Sequence, residues 1–147
     1  MKNSILKLSL CLIMIATTVA ISNAQDSFQT TKETPITKGK PVMTFEKDMI
    51  DLGTVKRGEK RTTYFDFTNT GDVPLQIDLI SACECTTTDY PRGEIAPGET
   101  GRIDVIFDST EKEASETIDI DIYLKQFDEE AGMPFIEMVQ YKFELIQ

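Results

Sequence analysis

The chain has 147 residues and a formal net charge of −10 at pH 7, and Lys and Arg never form a run longer than two residues. Because a phosphate backbone requires a cationic surface, we predict no binding to nucleic acid. The chain contains no His, which removes the usual general base of serine and cysteine hydrolases and the commonest metal ligand. We therefore predict a protein without catalytic activity and without a cofactor.

Residues 1–24 have the pattern of a secretory signal peptide. A basic start is followed by an apolar run over residues 8–20 and by the small-x-Ala cleavage site Ser22-Asn23-Ala24. The apolar run is shorter than the ~20 residues that span a bilayer, and no later run is longer, so we predict no membrane span after cleavage. The mature protein should begin at Gln25 and be extracytoplasmic, either periplasmic or secreted.

Residues 25–40 are polar and rich in Thr, which predicts a flexible tether with a reach of about 20–24 Å. The rest of the chain, residues 41–147, is predicted to form one domain. Apolar residues recur there at every second position and nowhere at the helical period of 3.6, so the domain should consist of β-strands.

A cluster of turn-forming residues separates two alternating runs between Phe65 and Ile77. Asn and Asp can bond their own backbone, Gly can take a positive φ, and Pro forbids a helix. The residues that should define this turn are Asn69, Gly71, Asp72 and Pro74. A second turn is predicted at Pro97 and Gly98, which have the order that a type II turn prefers.

About seven strands are predicted in chain order, beginning with a broken strand over residues 42–45 and 49–55 and including a short strand near Thr86 to Asp89. Many half-buried strands without crossover helices indicate an antiparallel two-sheet β-sandwich of the immunoglobulin type, without the immunoglobulin Cys and Trp hallmarks. The predicted inward-facing residues are Phe45, Leu52, Val55, Thr63, Phe65, Phe67, Leu75, Ile77, Leu79, Ile103, Val105, Phe107, Ile118, Ile120, Ile122, Leu124, Val139, Tyr141, Phe143 and Leu145.

Five segments occur in an order that is specific when they are taken together: Leu52-Gly53-Thr54-Val55, Phe67 to Leu75, Cys83-Glu84-Cys85-Thr86-Thr87, Ile95 to Glu99, and Val105 to Asp108. They resemble the bacterial domain-of-unknown-function family 1573, which itself looks like the Hydin-type and major-sperm-protein-like immunoglobulin folds. The resemblance covers roughly residues 43–124. It implies a secreted β-sandwich with no established activity.

Cys83 and Cys85 are the sharpest chemical feature of the sequence. On a regular strand their Cα atoms would lie ~6.6 Å apart, at the upper edge of what a disulfide spans, and a bend would make the bond possible. The negative charges of Glu84 and Asp89 disfavour a reactive thiolate, so we predict a structural pair. Thiol-redox exchange and binding of a soft metal such as Cu(I) are the alternatives.

Acidic residues elsewhere fit a solvated surface better than a catalytic site. Asp104, Asp119 and Asp121 occupy solvent-facing positions of the strand pattern. The loop over residues 128–132 offers oxygen ligands for a hard cation, but it lacks the spaced carboxylates of a calcium loop. No metal site is therefore predicted.

We predict from these observations a secreted or periplasmic binding or scaffolding module without catalytic activity. A thiol-redox or soft-metal-binding protein that uses the Cys-x-Cys pair is the alternative. The partner would be a protein or another component of the cell envelope, which the sequence does not identify. Outward apolar residues such as Ile80, Ile106 and Tyr123 are candidates for a contact surface.

Overall fold

The computed structural model describes residues 39–147, so the predicted signal peptide and most of the predicted tether lie outside the described residues. Eight strands form two four-stranded sheets. The strands are β1 (Met43–Phe45), β2 (Met49–Lys56), β3 (Lys60–Asn69), β4 (Ile77–Ser81), β5 (Thr86–Asp89), β6 (Thr100–Asp108), β7 (Glu116–Asp128) and β8 (Met133–Ile146). Within residues 39–147 no helix has the length and apolar character needed to span a membrane.

The first sheet has the strand order β1-β3-β6-β5, and the second has the order β2-β8-β7-β4. This arrangement confirms the predicted all-β, two-sheet sandwich. The structure has eight strands rather than about seven because the two parts of the predicted first strand lie in different sheets. β1 pairs antiparallel with β3, whereas β2 pairs parallel with β8. The alternation of apolar residues does not predict the partner or the direction of either strand.

The core lies between the two sheets and is built from the inward positions of both. Most predicted inward residues are buried, including Phe65, Phe67, Ile120 and Tyr141. An aromatic cluster closes one region of the core, since the ring centroid of Phe107 is 4.4 Å from that of Phe143 and 5.4 Å from that of Tyr141. Phe45, Leu52 and Leu145 are partly buried and pack against this core.

Leu79 was predicted to face inward, and this prediction is wrong. Its side chain is 45% exposed, and the cause is an irregularity in the pairing of β4 with β7. Ile77 pairs with Leu124, but Leu79 pairs with Tyr123 instead of Ile122. A one-residue slip moves all later side chains to the opposite face, so Leu79 faces outward and Ile80 packs against the core.

The two predicted turns form for different reasons. At the second turn the backbone N–H of Glu99 donates to the carbonyl of Ala96 at 2.9 Å, and Gly98 has φ +84°, as a type II turn requires. Gly71 was expected to supply a positive φ but does not adopt one. A Cβ at Gly71 would lie 2.5 Å from the carbonyl oxygen of Lys40 and 2.6 Å from the backbone N of Val42, so the glycine is needed for close backbone approach.

Candidate functional site

Asn69 forms a buried polar junction at one end of β6. Its side-chain Nδ2 donates to the carbonyls of Val73 and Ile95, each at 2.9 Å, and its Oδ1 accepts from the backbone N–H of Gly71 at 3.0 Å. The residue is fully buried. Its two bonds to carbonyls are made away from water, and the bond from Gly71 is partly buried. The sequence predicted the bond within the turn but not the reach to Ile95.

The other predicted turn residues support this junction from the surface. The carboxylate of Asp72 accepts a hydrogen bond from the backbone N–H of Lys40 at 3.1 Å. The carbonyl of Pro74 accepts one from the side chain of Gln126 at 2.9 Å. The backbone N–H of Gly98 donates to the carbonyl of Asn69 at 2.7 Å. The junction therefore fixes the connections between strands, and it leaves no polar group of Asn69 free for a ligand.

The cysteine pair lies at the opposite end of β6. Cys83 and Cys85 are joined by a disulfide with their Cα atoms 5.2 Å apart, closer than a regular strand allows. The backbone N–H of Thr86 donates to the carbonyl of Cys83 at 2.9 Å, and this turn supplies the bend that a disulfide at this spacing needs. Both cysteines are half-buried and pack against the edge of the core.

Two hydroxyl groups lie against the disulfide. The Oγ1 of Thr86 is 3.3 Å from the sulfur of Cys83 and 3.6 Å from that of Cys85, and the Oη of Tyr141 is 3.8 Å from the sulfur of Cys85. The two hydroxyl oxygens are 2.5 Å apart. Because Tyr141 belongs to β8 and Thr86 to β5, their hydrogen bond joins the two sheets beside the disulfide.

Burial raises the pKa of the Tyr141 phenol, although its hydrogen bond with Thr86 acts in the opposite direction. The phenol is therefore protonated at neutral pH and can act as a hydrogen-bond donor. The sequence placed Tyr141 on the inward face, but it gave no indication of a partner 55 residues away.

A groove of about 470 Å³ lies between β2 and β3. Two of its carboxylates are already engaged. The backbone N–H of Gly53 and the ammonium of Lys142 lower the pKa of Asp51, and the Arg102 guanidinium lowers the pKa of Asp66. An ionised, ion-paired carboxylate is a weak general base at neutral pH, so neither Asp51 nor Asp66 is suited to act as one.

The acidic loop between β7 and β8 is organised by one of its own carboxylates. The Oδ1 of Asp128 accepts the backbone N–H groups of Glu130 and Ala131 at 2.9 and 3.1 Å. That oxygen acts as a turn-forming acceptor. Within residues 39–147 no cluster of three or more His, Cys, Asp or Glu side chains is placed to hold a metal ion.

The outer face of the second sheet carries a contiguous row of apolar side chains, of which the sequence pattern predicted only Tyr123 to face outward. Leu79 pairs with Tyr123, and Tyr123 pairs with Ile136, so these three residues lie side by side across three strands. Met138, the partner of Asp121, extends the row two positions beyond Ile136 on β8. Phe127 extends it the other way, across an irregularity in the pairing after Tyr123, because its partner Pro134 lies two positions before Ile136. We call Leu79, Tyr123, Phe127, Ile136 and Met138 the outer apolar face.

Of the outward residues named from the sequence, only Tyr123 belongs to this face. Ile80 packs against the core. Ile106 is 43% exposed, but it lies on the first sheet between Thr62 and Thr87. The bulge in β4 explains the difference, because strict alternation assigns Leu79 to the core and Ile80 to solvent.

The family model described as "Protein of unknown function (DUF1573)" matches residues 43–135. No curated protein sequence matches the chain significantly. Among solved structures, a protein of unknown function from Porphyromonas gingivalis W83 is similar with a TM-score of 0.58 and 24% identity, over 71% of this chain and 47% of that chain.

Two further structures are similar at lower identity. The ASH/PapD-like domain 7 of human CEP192 matches with a TM-score of 0.57 and 14% identity, over 78% of this chain and 92% of that domain. The VesB protease of Vibrio cholerae matches with a TM-score of 0.54 and 14% identity, over 71% of this chain and 31% of that chain. The chain thus spans less than half of the Porphyromonas and Vibrio proteins, and the likeness establishes the fold alone.

Proposed function

Because the chain belongs to the DUF1573 family, whose description states no activity, we propose its function from its surface: it is a non-enzymatic, extracytoplasmic binding module that recognises a protein partner with its outer apolar face. The single observation that carries this proposal is the contiguity of that face across β4, β7 and β8. Singly scattered apolar residues on a surface need no explanation, whereas a contiguous group marks an interaction site.

The exposure of these side chains supports the proposal. Leu79 is 45% exposed, Ile136 41%, Met138 53% and Phe127 57%. When a partner covers large aliphatic and aromatic groups that are this exposed, the complex is stabilised by roughly 25 cal/mol per Å² of apolar area buried. Four of the five side chains lie on β7 and β8, the two longest strands of the domain. A paired sheet of this kind is preorganised, so little conformational entropy is lost on binding.

Charged residues near the face indicate the chemistry of the partner. Asp121 pairs with Met138 of the face, and Asp119 lies two positions earlier on β7. The hairpin turn beyond Phe127 adds Asp128 and the two glutamates that follow it. The one basic residue between positions 119 and 130 is Lys125. A partner with an apolar centre and a rim of Lys and Arg would match this arrangement and would be steered toward it.

The extracytoplasmic location rests on two independent features. Residues 1–24 have the pattern of a cleaved secretory signal, and the Cys83–Cys85 disulfide suits an oxidising compartment. N-terminal sequencing of protein from the envelope and culture-medium fractions tests this part of the proposal. We expect a mature chain that begins at Gln25, and a chain that retains Met1 in the cytoplasm would contradict it.

The binding proposal is tested by photo-cross-linking in the source cells, with the cross-linking amino acid placed at Ile136. Position 106 is the matched control, since Ile106 has nearly the same exposure, 43% against 41%, but lies on the other sheet. We expect a discrete protein adduct from position 136 and none from position 106. We also expect Ile136→Lys to abolish copurification of that partner and Ile106→Lys to preserve it.

Thermal melts of both lysine variants establish that each remains folded. Identical adducts from both positions, or a partner that survives Ile136→Lys, would contradict the assignment of this face as the binding surface.

A further inference from the structure

The Thr86 and Tyr141 hydroxyls beside the Cys83–Cys85 disulfide have a property that a purely structural bridge does not require. Together they carry two protons, and their oxygens are 2.5 Å apart, so one proton is used in the bond between them. Tyr141 is fully buried. Among residues 39–147, the contacts of its hydroxyl are Thr86 and the sulfur of Cys85.

Among residues 39–147, sulfur is therefore the acceptor left for the second proton. If Tyr141 donates to Thr86, the Thr86 proton points to one of the two sulfurs at 3.3 and 3.6 Å. If Thr86 donates to Tyr141, the phenol proton points to Cys85 at 3.8 Å. In both arrangements one hydroxyl donor is directed at the disulfide, where a thiolate would form if the bond broke.

We propose that this disulfide undergoes thiol–disulfide exchange with a dithiol, and that Cys85 is the leaving group. A thiolate of the dithiol attacks the sulfur of Cys83, the bond between Cys83 and Cys85 breaks, and Cys85 leaves as a thiolate. The second thiol of the dithiol, as its thiolate, then attacks the dithiol's own sulfur in the mixed disulfide and releases Cys83. Two electrons pass from the dithiol to the cysteine pair, the dithiol becomes a disulfide, and its two protons are returned to the cysteines.

Cys85 is the leaving group because its sulfur can accept the free proton in either arrangement. The sulfur of Cys83, although closer to Thr86 at 3.3 Å, can accept it only when Tyr141 donates to Thr86. Exchange is faster when the leaving thiolate is stabilised, and hydrogen bonds to a charged acceptor are stronger than bonds to a neutral one. The hydroxyl pair thus acts on the step in which negative charge develops on sulfur.

The backbone holds both cysteines in place after the bond breaks. The carbonyl of Cys83 accepts from the backbone N–H of Thr86, and the carbonyl of Cys85 accepts from that of Asp108, each at 2.9 Å. The two thiols therefore stay close, and the disulfide can form again.

Nearby carboxylates do not cancel the effect of the hydroxyls on the leaving thiolate. The side chains of Glu84 and Asp89 are exposed, so water and salt screen their effect on an approaching thiolate. The hydroxyls contact the sulfurs directly. The carboxylates lower the rate for an anionic reagent, and the hydroxyls determine which sulfur leaves.

The experiment measures the rate of disulfide reduction by dithiothreitol in the full chain, with Cys11→Ser in every variant so that only the pair reacts. Thr86→Val with Tyr141→Phe removes both hydroxyls and nearly preserves shape. We expect this double variant to be reduced roughly tenfold more slowly, because the departing thiolate loses its donor. A purely structural role predicts the opposite sign, since loss of the bond between the sheets would loosen the site and speed reduction.

Thr88→Val with Tyr64→Phe is the matched control, because it makes the same chemical changes on β5 and β3 away from the sulfurs, and its rate should equal that of the parent. An equal or faster rate in the Thr86/Tyr141 variant would overturn the proposal. A second measurement on the parent needs no mutation of the site: brief reaction with glutathione, acid quenching and fragmentation by mass spectrometry should place glutathione on Cys83. Predominant labelling of Cys85 would overturn the assignment of the leaving group.

Discussion

Replacing Asn69 with Ala should be one of the most damaging single changes outside the apolar core. It removes the two bonds from Nδ2 to the carbonyls of Val73 and Ile95 and the bond from the Gly71 N–H to Oδ1. A protein hydrogen bond contributes about 0.5–1.5 kcal/mol net, and an acceptor left buried without a partner costs more, so we expect a loss of about 2–4 kcal/mol. The backbone at Val73, Ile95 and Gly71 is therefore held by this one side-chain amide.

Urea denaturation followed by far-UV circular dichroism measures the loss, since the chain has no Trp for fluorescence. Thr70→Ala is the control, because it removes the exposed Thr70–Thr44 hydroxyl bond of the adjacent residue and should cost well under ~1 kcal/mol. A loss for Asn69→Ala no larger than that for Thr70→Ala would refute the role of Asn69 as a buried junction.

Asn69→Asp sharpens the same test because it keeps the shape and removes the donors. The carboxylate would face the carbonyls of Val73 and Ile95, so its pKa should be raised in the folded state. When the pKa of a carboxyl is raised in the folded state, the protein becomes more stable as the pH falls through that pKa. This gain in stability is complete below the pKa of the unfolded state. The deficit of this variant against the parent should therefore shrink on acidification, whereas a deficit independent of pH would contradict the reasoning.

Three further predictions concern stability. Phe67→Ala should cost about 3–5 kcal/mol in a denaturant melt because it opens a core cavity, while Asp66→Ala on the opposite face should cost far less; similar losses would mean that the faces are misassigned. Gly71→Ala should destabilise the fold because its Cβ would meet backbone atoms, whereas Gly93→Ala, with open space around it, should be neutral or slightly stabilising in the same assay. Hydrogen bonds from Thr110 and then Lys60 lower the pKa of Asp108 to about 2 from its ordinary value of 3.8. The Asp108 carboxylate therefore stabilises the fold above pH 3.8, and this stabilisation is lost as the pH falls toward 2. Melts of Asp108→Asn at several pH values should lack this part of the acid dependence.

The fold could be predicted because its main signal is local. Phe65 and Phe67 are two residues apart, and this spacing places them on one face whatever strand they pair with. The same holds for Ile118 to Leu124 on β7. Turn chemistry is also local, so Pro97 and Gly98 identify their turn without knowledge of the rest of the chain.

The candidate sites could be predicted only in part because they depend on pairing between distant segments. Leu79 reaches the outer face through a bulge that exists only in the register of β4 against β7. The spacing of Cys83 and Cys85 indicates a bond if the chain bends, but the hydroxyl beside it comes from Tyr141 on another sheet. Alternation gives the direction of a side chain and does not give its partner.

The placement of short and long strands has a consequence for self-association. The edge strands β1, β5, β4 and β2 have 3, 4, 5 and 8 residues, whereas the interior strands β6, β3, β7 and β8 have 9, 10, 13 and 14. The pairing of β4 and of β2 is also irregular, and Gly53 has φ +66° within β2. A short or interrupted edge is a poor template for the strand of another molecule, so concentrated protein should resist polymerisation into fibrils through its sheet edges.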